Sequence, residues 1–363
     1  MSIQHLFSPH PVSAILFCDG VFSQSEAKTA QGIIRHSTWL KPVAVVDRHL
    51  EGESTAAVVP NSSIPVVGSV TEALQWNPQA LVIAMTESDY GEWENGVFIQ
   101  KSRRPGDLPD FWTDSIKKAL SSGLDIISCL HVSLKEYESY RVSSSQQIID
   151  IRQPARSEFP KYSGRIPRSR ANVIHIAGSD CVIGKRTTAL QLHRFVQEQG
   201  TATGYIGTGQ TCLLAGCAEG AVMDQTPLFF GAGLMEDMIH NVESDFDVIF
   251  TKGQASVFHP AFGGLANAIL QGSQPNAIVF VHDPRRTQRY HWEHLPLAPL
   301  DLEIETIERL SGAPVVAIAT RGEENVRQLR IEQNLPVGDP LNEKGLKVIG
   351  DAIKPYIPQS ARV

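Results

Sequence analysis

The stretch NVIHIAGSDCVIGKRTT, residues 172–188, decides the fold of the second half of the chain. Asn172–Ala177 is a short apolar run bounded by a glycine turn, the pattern of a buried strand. Lys185–Gln199 follows as a helix, and Gly178 and Gly184 bound the turn between them. Such a turn aims backbone N–H groups at whatever lies over the helix N-terminus, where partial positive charge favours phosphate oxygens. Lys185 adds a mobile cation for a terminal phosphate, and in loops of this kind a hydroxyl at the helix start binds magnesium. Gly178, Ser179, Asp180, Cys181, Gly184, Lys185, Arg186, Thr187 and Thr188 are the candidate cofactor-binding set. A purely structural glycine turn is the competing reading.

Two features depart from the ordinary phosphate loop. Five residues separate the glycines instead of four, and Arg186 stands where the magnesium hydroxyl normally follows the lysine. Arg186 displaces Thr187 by about 100° around the helix. Magnesium binding and nucleoside-triphosphate hydrolysis are therefore less expected than phosphate binding, which an added arginine favours.

Working outward, the second half alternates strands and helices. Thr203–Ile206, Val248–Thr251, Ala277–His282 and Val315–Ala319 read as strands. Three loops follow strand C-termini, the edge where ligands sit in open α/β sheets. The first carries Thr208, Gly209 and Gln210. The second carries Lys252, Gln254 and Ser256, with His259 soon after. The third carries Arg285 and Arg286. Singly each is an ordinary turn; together with the phosphate loop they outline a site. His291 and His294, three apart, suit one helix face but lack a third ligand at metal spacing, so no metal site is expected. No GxSxG elbow supports a serine hydrolase.

The first half shows the same alternation. Ser13–Cys18, Val43–Asp47, Ile64–Val67, Ala80–Met85 and Asp125–Ser128 read as strands. Helices are expected at Glu26–His36, Ser69–Gln75 and Asp114–Ser122. Asp19, Asp47, Thr86 and His131 fall at the strand C-terminal edge. There is no GxGxxG, so NAD binding is not favoured, and Asp47 reads equally as a ribose-binding acid or a turn residue. Ile148–Arg170, with Pro154, Pro160 and Pro167, reads as a junction. The expected architecture is α/β, with two doubly wound parallel-sheet domains. A Rossmann-like domain spans residues 1–150, a linker 151–170 and a P-loop NTPase-like domain 171–363.

Composition narrows the class. With 363 residues, two domains are expected. A net charge of −7 argues against a general nucleic-acid binder. No run approaches the roughly 18 apolar residues of a membrane helix. The N-terminus lacks the basic start of a signal peptide and reads as a leader into the first strand. Five cysteines without CxxC spacing argue against a disulfide or zinc framework and for the cytoplasm. A homo-oligomer is the default for such a protein.

The longer loop with its aspartate resembles the dethiobiotin-synthetase branch of P-loop proteins. The chain as a whole resembles a two-domain family of unknown function whose members include D-glutamate N-acetyltransferase. The resemblance runs through Ala27–Ala30, Val43–Asp47, Gly123–Asp125, Leu130-His131, Gly178–Thr188, Thr208–Thr211, Gly253-Gln254, His259-Pro260, Gly272–Pro275 and Arg286-Thr287. It implies acetyl transfer from acetyl-CoA to the amine of an acidic D-amino acid, with ATP and magnesium less expected. On that footing the phosphate loop holds CoA phosphates, and Arg285 and Arg286 clamp substrate carboxylates. Lys252, Gln254 and Ser256 line the substrate, and His259 or Asp224 is the base. Three positions depart from the family pattern. Lys252 replaces an acid, Phe229 replaces the aspartate of an Asp–Phe pair, and Ala319 replaces an asparagine. The alternatives are a non-catalytic nucleotide- or CoA-binding protein, or an ATP-dependent ligase.

Overall fold

The structure, a computed structural model, describes residues 11–101, 107–153, 159–165 and 171–358. The start of the N-terminal leader, Pro154 and Pro167 lie outside the described residues. The chain divides into two compact units. One is built from residues 2–155 with Gln210–Gly216, the other from residues 156–209 and 217–363.

In the N-terminal unit the apolar runs become strands: β1 (Val12–Phe17), β2 (Leu40–Val46), β3 (Val66–Val67) and β4 (Ala80–Ile83). A hairpin, β5 (Gly91–Glu94) and β6 (Val97–Gln100), interrupts before β7 (Asp125–Ser128) and β8 (Ile148–Asp150). The six-stranded sheet has the order β3-β2-β1-β4-β7-β8 and every pairing is parallel. Leaving out the hairpin, this is the Rossmann order, with its switch point between β1 and β4. Ala14, Ile15 and Leu16 are fully buried, as a sheet covered on both faces demands. Pro42 in β2 cannot donate to the ladder, and the β1–β2 register shifts beside it, between Ala14 and Ile15.

The helices of this unit are α1 (Lys28–His36), α2 (Val70–Ala73) and α3 (Asp110–Ser121). Ile148–Asp150 belongs to the sheet as its edge strand β8. The junction expected from Ile148 therefore starts too early. Pro160, also assigned to the junction, packs against a helix of the other unit, as described below.

A second departure is α5 (Gln210–Ala215). It follows a strand of the C-terminal sheet in sequence yet packs into the N-terminal core, where Leu214 is fully buried. Trp39 Nε1 donates to the Leu213 carbonyl at 3.2 Å, and Ser37 Oγ donates to that of Leu214 at 2.7 Å.

The C-terminal unit opens with β9 (Asn172–Gly178), α4 (Lys185–Glu198), β10 (Thr203–Gly207) and β11 (Glu219–Gly220). It continues with α6 (Leu228–Val242), β12 (Val248–Lys252), α7 (Gly263–Ser273) and β13 (Ala277–Val281). A hairpin, β14 (Gln288–Arg289) and β15 (Trp292–Pro296), precedes α8 (Leu300–Ser311) and β16 (Val315–Ala319). The unit ends with α9 (Glu323–Glu332), β17 (Val337–Gly338) and α10 (Glu343–Ile353). The seven-stranded parallel sheet has the order β11-β10-β12-β9-β13-β16-β17. The strand that feeds the phosphate loop, β9, is thus central.

The 159–165 segment is tied to α6. The buried Glu236 accepts hydrogen bonds from Ser163 N, Ser163 Oγ and Arg165 N. A side chain at Gly233 would meet the Pro160 carbonyl oxygen at 2.3 Å, so glycine lets the segment lie on the helix.

Candidate functional site

The phosphate loop begins where β9 ends. A Cβ on Gly178 would stand 2.7 Å from the Val281 carbonyl oxygen, so the loop turns away from β13 only with glycine here. Val182 and Gly184 have φ of +53° and +111°, left-handed positions that curl the loop over the start of α4. Lys185, the first residue of α4, is almost fully buried, and its ammonium donates to the Asp180 carbonyl inside the loop. Burial lowers its pKa to about 8, and Lys252 adds repulsion. Thr188 is fully buried and returns its hydroxyl to the Gly184 carbonyl at 3.1 Å.

Asp180 organises the surroundings. Its Oδ2 accepts from Tyr290 N at 2.8 Å and from an Arg286 guanidinium nitrogen at 3.2 Å. The same nitrogen donates to the Cys181 carbonyl at 2.6 Å. Of the two arginines expected to clamp carboxylates, Arg286 binds the loop and Arg285 is paired with Asp283 at 3.2 Å. Both still line an open groove of about 490 Å³ with Asp283, Thr287 and Gln288. His291 and His294 do not share a helix face. His291 sits in the β14–β15 turn with φ of +67°, and His294 lies in β15.

His259 is buried beside Asp180, with Nε2 4.0 Å from Asp180 Oδ1. Its Nδ1 accepts from Ala261 N and Phe262 N, both at 3.2 Å. A nitrogen that accepts carries no proton, so this assignment puts the proton on Nε2. Burial, aided by Arg289, lowers the imidazole pKa and keeps it neutral. In this tautomer His259 presents a donor to the loop.

Asp180, Cys181 and His259 each bring one ligand-type atom to within 4.8 Å of one another. Arg286 and Lys185 press positive charge on the same loop, which opposes a cation there. Ser256 donates to Glu303 Oε1 at 2.6 Å. Glu303, in α8, is a buried acid that the sequence reading missed. Burial raises its carboxyl to about 7, although Ser256, Arg289 and Lys185 pull it down. Its Oε2, Asp180 Oδ1 and His259 Nε2 are all buried without a hydrogen-bond partner.

The other sequence candidates divide. Thr208 donates to the Lys252 carbonyl at 2.7 Å, and Gln254 donates to the Thr208 carbonyl, so the loops after β10 and β12 are joined. Gln210 is drawn into the N-terminal unit instead. Its Oε1 accepts from Arg152 at 2.6 Å, and its Nε2 donates to Thr29 at 3.1 Å. Asp224 is exposed on a turn after the edge strand β11. That strand lies three spacings from β9, on the order of 14 Å, and the cluster around Asp180 is built without it.

The N-terminal unit carries its own polar edge. Asp19 is locked by Arg48 at 2.7 Å and by Trp112 at 3.2 Å. Asp47 accepts from Phe22 N at 2.8 Å and His49 N at 2.9 Å, the behaviour of a turn residue. Glu87, buried after β4, meets His131 after β7. Oε2 lies 2.9 Å from His131 N and 3.3 Å from its Nδ1. Burial alone would raise the Glu87 carboxyl, but the bonds from His131 outweigh it and hold the pKa below the usual value.

A parallel sheet with a central glycine-bounded loop, a lysine at the helix start and a preceding Rossmann-ordered sheet defines a P-loop protein with a Rossmann-like partner unit. The comparisons agree. Residues 160–349 match the family described as "Domain of unknown function (DUF1611_C) P-loop domain", and residues 97–154 match its Rossmann-like N-terminal domain, DUF1611_N. The chain belongs to this family.

A protein named D-glutamate N-acetyltransferase from Tritonibacter scottomollicae is 28% identical over 242 residues, 66% of this chain and 68% of the relative. One of the same name from a Pseudoalteromonas species is 31% identical over 205 residues, 55% of this chain and 60% of the relative. The crystal structure of a DUF1611 family protein from Anabaena variabilis ATCC 29413 is similar with a TM-score of 0.82 and 26% identity. That likeness covers 94% of this chain and 99% of the other. Among the described residues no helix is long and apolar enough to cross a membrane.

Proposed function

We propose that this chain is a CoA-dependent N-acyltransferase that acts on an acidic amino acid. In this reading its phosphate loop holds CoA phosphates without hydrolysing a nucleotide. The observation that carries the reading is the helix start. Arg186 occupies the magnesium-hydroxyl position, and the Thr188 hydroxyl is turned back onto Gly184. Such a loop keeps its backbone donors and Lys185 for phosphate and lacks the hydroxyl that positions magnesium. The cradle suits the group on its own chemistry: Gly184 N–H, the helix start and the Lys185 ammonium are donors, and the neighbouring arginines supply charge. The relatives named D-glutamate N-acetyltransferase support acetyl transfer as the reaction.

Acetyl-CoA supplies the activated acetyl group. Gly178, Ser179, Cys181, Gly184, Lys185, Arg186 and Thr187 hold its phosphates. Arg286, bound to Asp180 and to the Cys181 carbonyl, keeps the loop in shape. His259, with its proton on Nε2, adds a neutral donor near the loop. The groove beside Arg285 and Thr287 offers charge and hydroxyl to an acidic substrate. The five free thiols favour the reducing cytoplasm.

The test is acetyl transfer followed by mass spectrometry, with acetyl-CoA and a panel of D- and L-amino acids. The reading expects an N-acetylated acidic amino acid. Turnover of ATP–magnesium with no acetylated amine contradicts it and revives the ligase. Lys252, Phe229 and Ala319 favour a second reading, a protein that binds CoA and transfers nothing. Phe229 is 74% exposed at the head of α6, and Lys252 ends β12. If those departures silence the reaction, wild type binds acetyl-CoA without turnover and Phe229→Asp with Lys252→Glu gains it. Unchanged turnover in the double variant removes this reading.

A further inference from the structure

We propose that the groove lined by Asp283, Arg285, Arg286, Thr287 and Gln288 binds the phosphate monoester on the ribose of CoA, so that the chain selects CoA over nucleotides that lack that group. The inference rests on the reading of the phosphate loop as a CoA site. CoA carries two anionic groups, a pyrophosphate and a monoester phosphate on the adjoining ribose. A glycine-bounded loop over one helix start accounts for the first. The second needs cations of its own a few bonds away.

The C-terminal unit places them there by itself, since the loop and the groove both belong to it. β13 pairs directly with β9, Val281 opposite Gly178, so the segment after β13 runs beside the phosphate loop. Ser179 Oγ lies 2.9 Å from His282 Nδ1, which ties the two turns together. Arg286 belongs to both. It is bound to Asp180 and to the Cys181 carbonyl, and it also lines the groove. The groove, of about 490 Å³, falls within the range of roughly 300–1,000 Å³ that small-molecule sites occupy.

Arg285 is the movable cation. Its side chain is 67% exposed, and it meets Asp283 through Nε at 3.2 Å and Nη2 at 3.4 Å. An ion pair this exposed is weak, and the same guanidinium fork fits a phosphate with two parallel hydrogen bonds. Asp283 is the group that opposes an anion in the groove. It stays held when the Arg285 side chain turns away, because its Oδ1 also accepts from Arg285 N at 3.1 Å and from Asn325 Nδ2 at 3.2 Å. Thr287, exposed beside them, adds a hydroxyl donor.

The acceptor's carboxylate is the other anion that such a groove could take. The thioester, however, stands a whole pantetheine arm from the pyrophosphate, and the acceptor's amine must meet it there. The ribose phosphate stays next to the pyrophosphate. A groove joined to the phosphate loop through Arg286 therefore suits the phosphate monoester better. The acidic substrate that the groove serves is then acetyl-CoA itself.

The test titrates CoA and dephospho-CoA, which differ only by that phosphate, into the full chain by calorimetry. Wild type is expected to bind CoA about tenfold or more tighter than dephospho-CoA. In Arg285→Ala that ratio is expected to fall to about threefold or less, with the dephospho-CoA Kd held. Arg285→Lys, which keeps the charge and loses the fork, is expected to retain part of the preference. A wild type that binds the two equally, or an Arg285→Ala variant that weakens both in parallel, overturns the proposal and leaves the phosphate-loop reading standing. So does a variant whose preference for CoA is intact; a raised KM for D-glutamate in that variant gives the groove to the acceptor instead. A wild type that binds neither ligand overturns both readings.

Discussion

In the proposed function Lys185 carries the main phosphate contact, and its protonation is the variable that would tune it. With its pKa at about 8, the buried ammonium begins to lose its proton just above neutrality, and a phosphate bound beside it would favour the charged form. Affinity for CoA should therefore fall as pH rises above 8, by up to about tenfold per unit. Titration calorimetry at pH 7, 8 and 9 checks this, and Lys185→Arg should flatten the dependence. A flat wild-type profile would mean that the lysine does not touch the phosphates. The lysine itself was readable from the loop pattern. The orientation of His259 was not, because its tautomer is set by the backbone N–H groups of Ala261 and Phe262. Glu303 left a trace that is clear only afterwards. It shares the i, i+3, i+4, i+7 stripe of Leu300, Ile304 and Ile307, where an acid is out of place.

At the scale of elements, the strand–loop–helix unit from β9 to α4 was legible because one glycine-bounded turn fixes it from within. Gly178→Ala tests that directly. The added methyl would meet the Val281 carbonyl oxygen at 2.7 Å and Ile183 Cδ1 at 2.9 Å. We expect a loss of about 1–3 kcal/mol in urea unfolding and weaker CoA binding. Unchanged stability would show that β13 gives way easily. The hairpin β14–β15 was not legible, because the spacing of His291 and His294 also suits a helix period. Pairing and the positive φ at His291 decided otherwise. The placement of α5 was not legible at all. Its apolar face suits either core, and the choice was made by distant partners, Trp39 and Ser37.

At the scale of the whole molecule, the two parallel sheets followed from strand–helix alternation, while the strand order required the structure. Three buried groups couple that fold to pH. Burial lowers His175 to about 3 and His193 to about 4. The unfolded chain therefore binds about one more proton at each as pH falls below 6.5. Glu303, raised to about 7, works the other way between 4.5 and 7, because the folded carboxyl keeps its proton. Two histidines against one glutamate leave about one proton. Folding stability from these groups should fall by ~1.4 kcal/mol per unit between about pH 6 and 5. His175→Gln should flatten that slope in denaturant melts, and a wild-type stability that rises on acidification would contradict the assignment.

The central claim is that the phosphate loop holds CoA, and calorimetric titration of acetyl-CoA into wild type and Lys185→Ala tests it most directly. The account predicts saturable one-site binding in the wild type and a loss of at least about tenfold in affinity in the variant, which corresponds to removal of one charge-assisted contact. Equal affinity in the two proteins, or no binding to either, would contradict it.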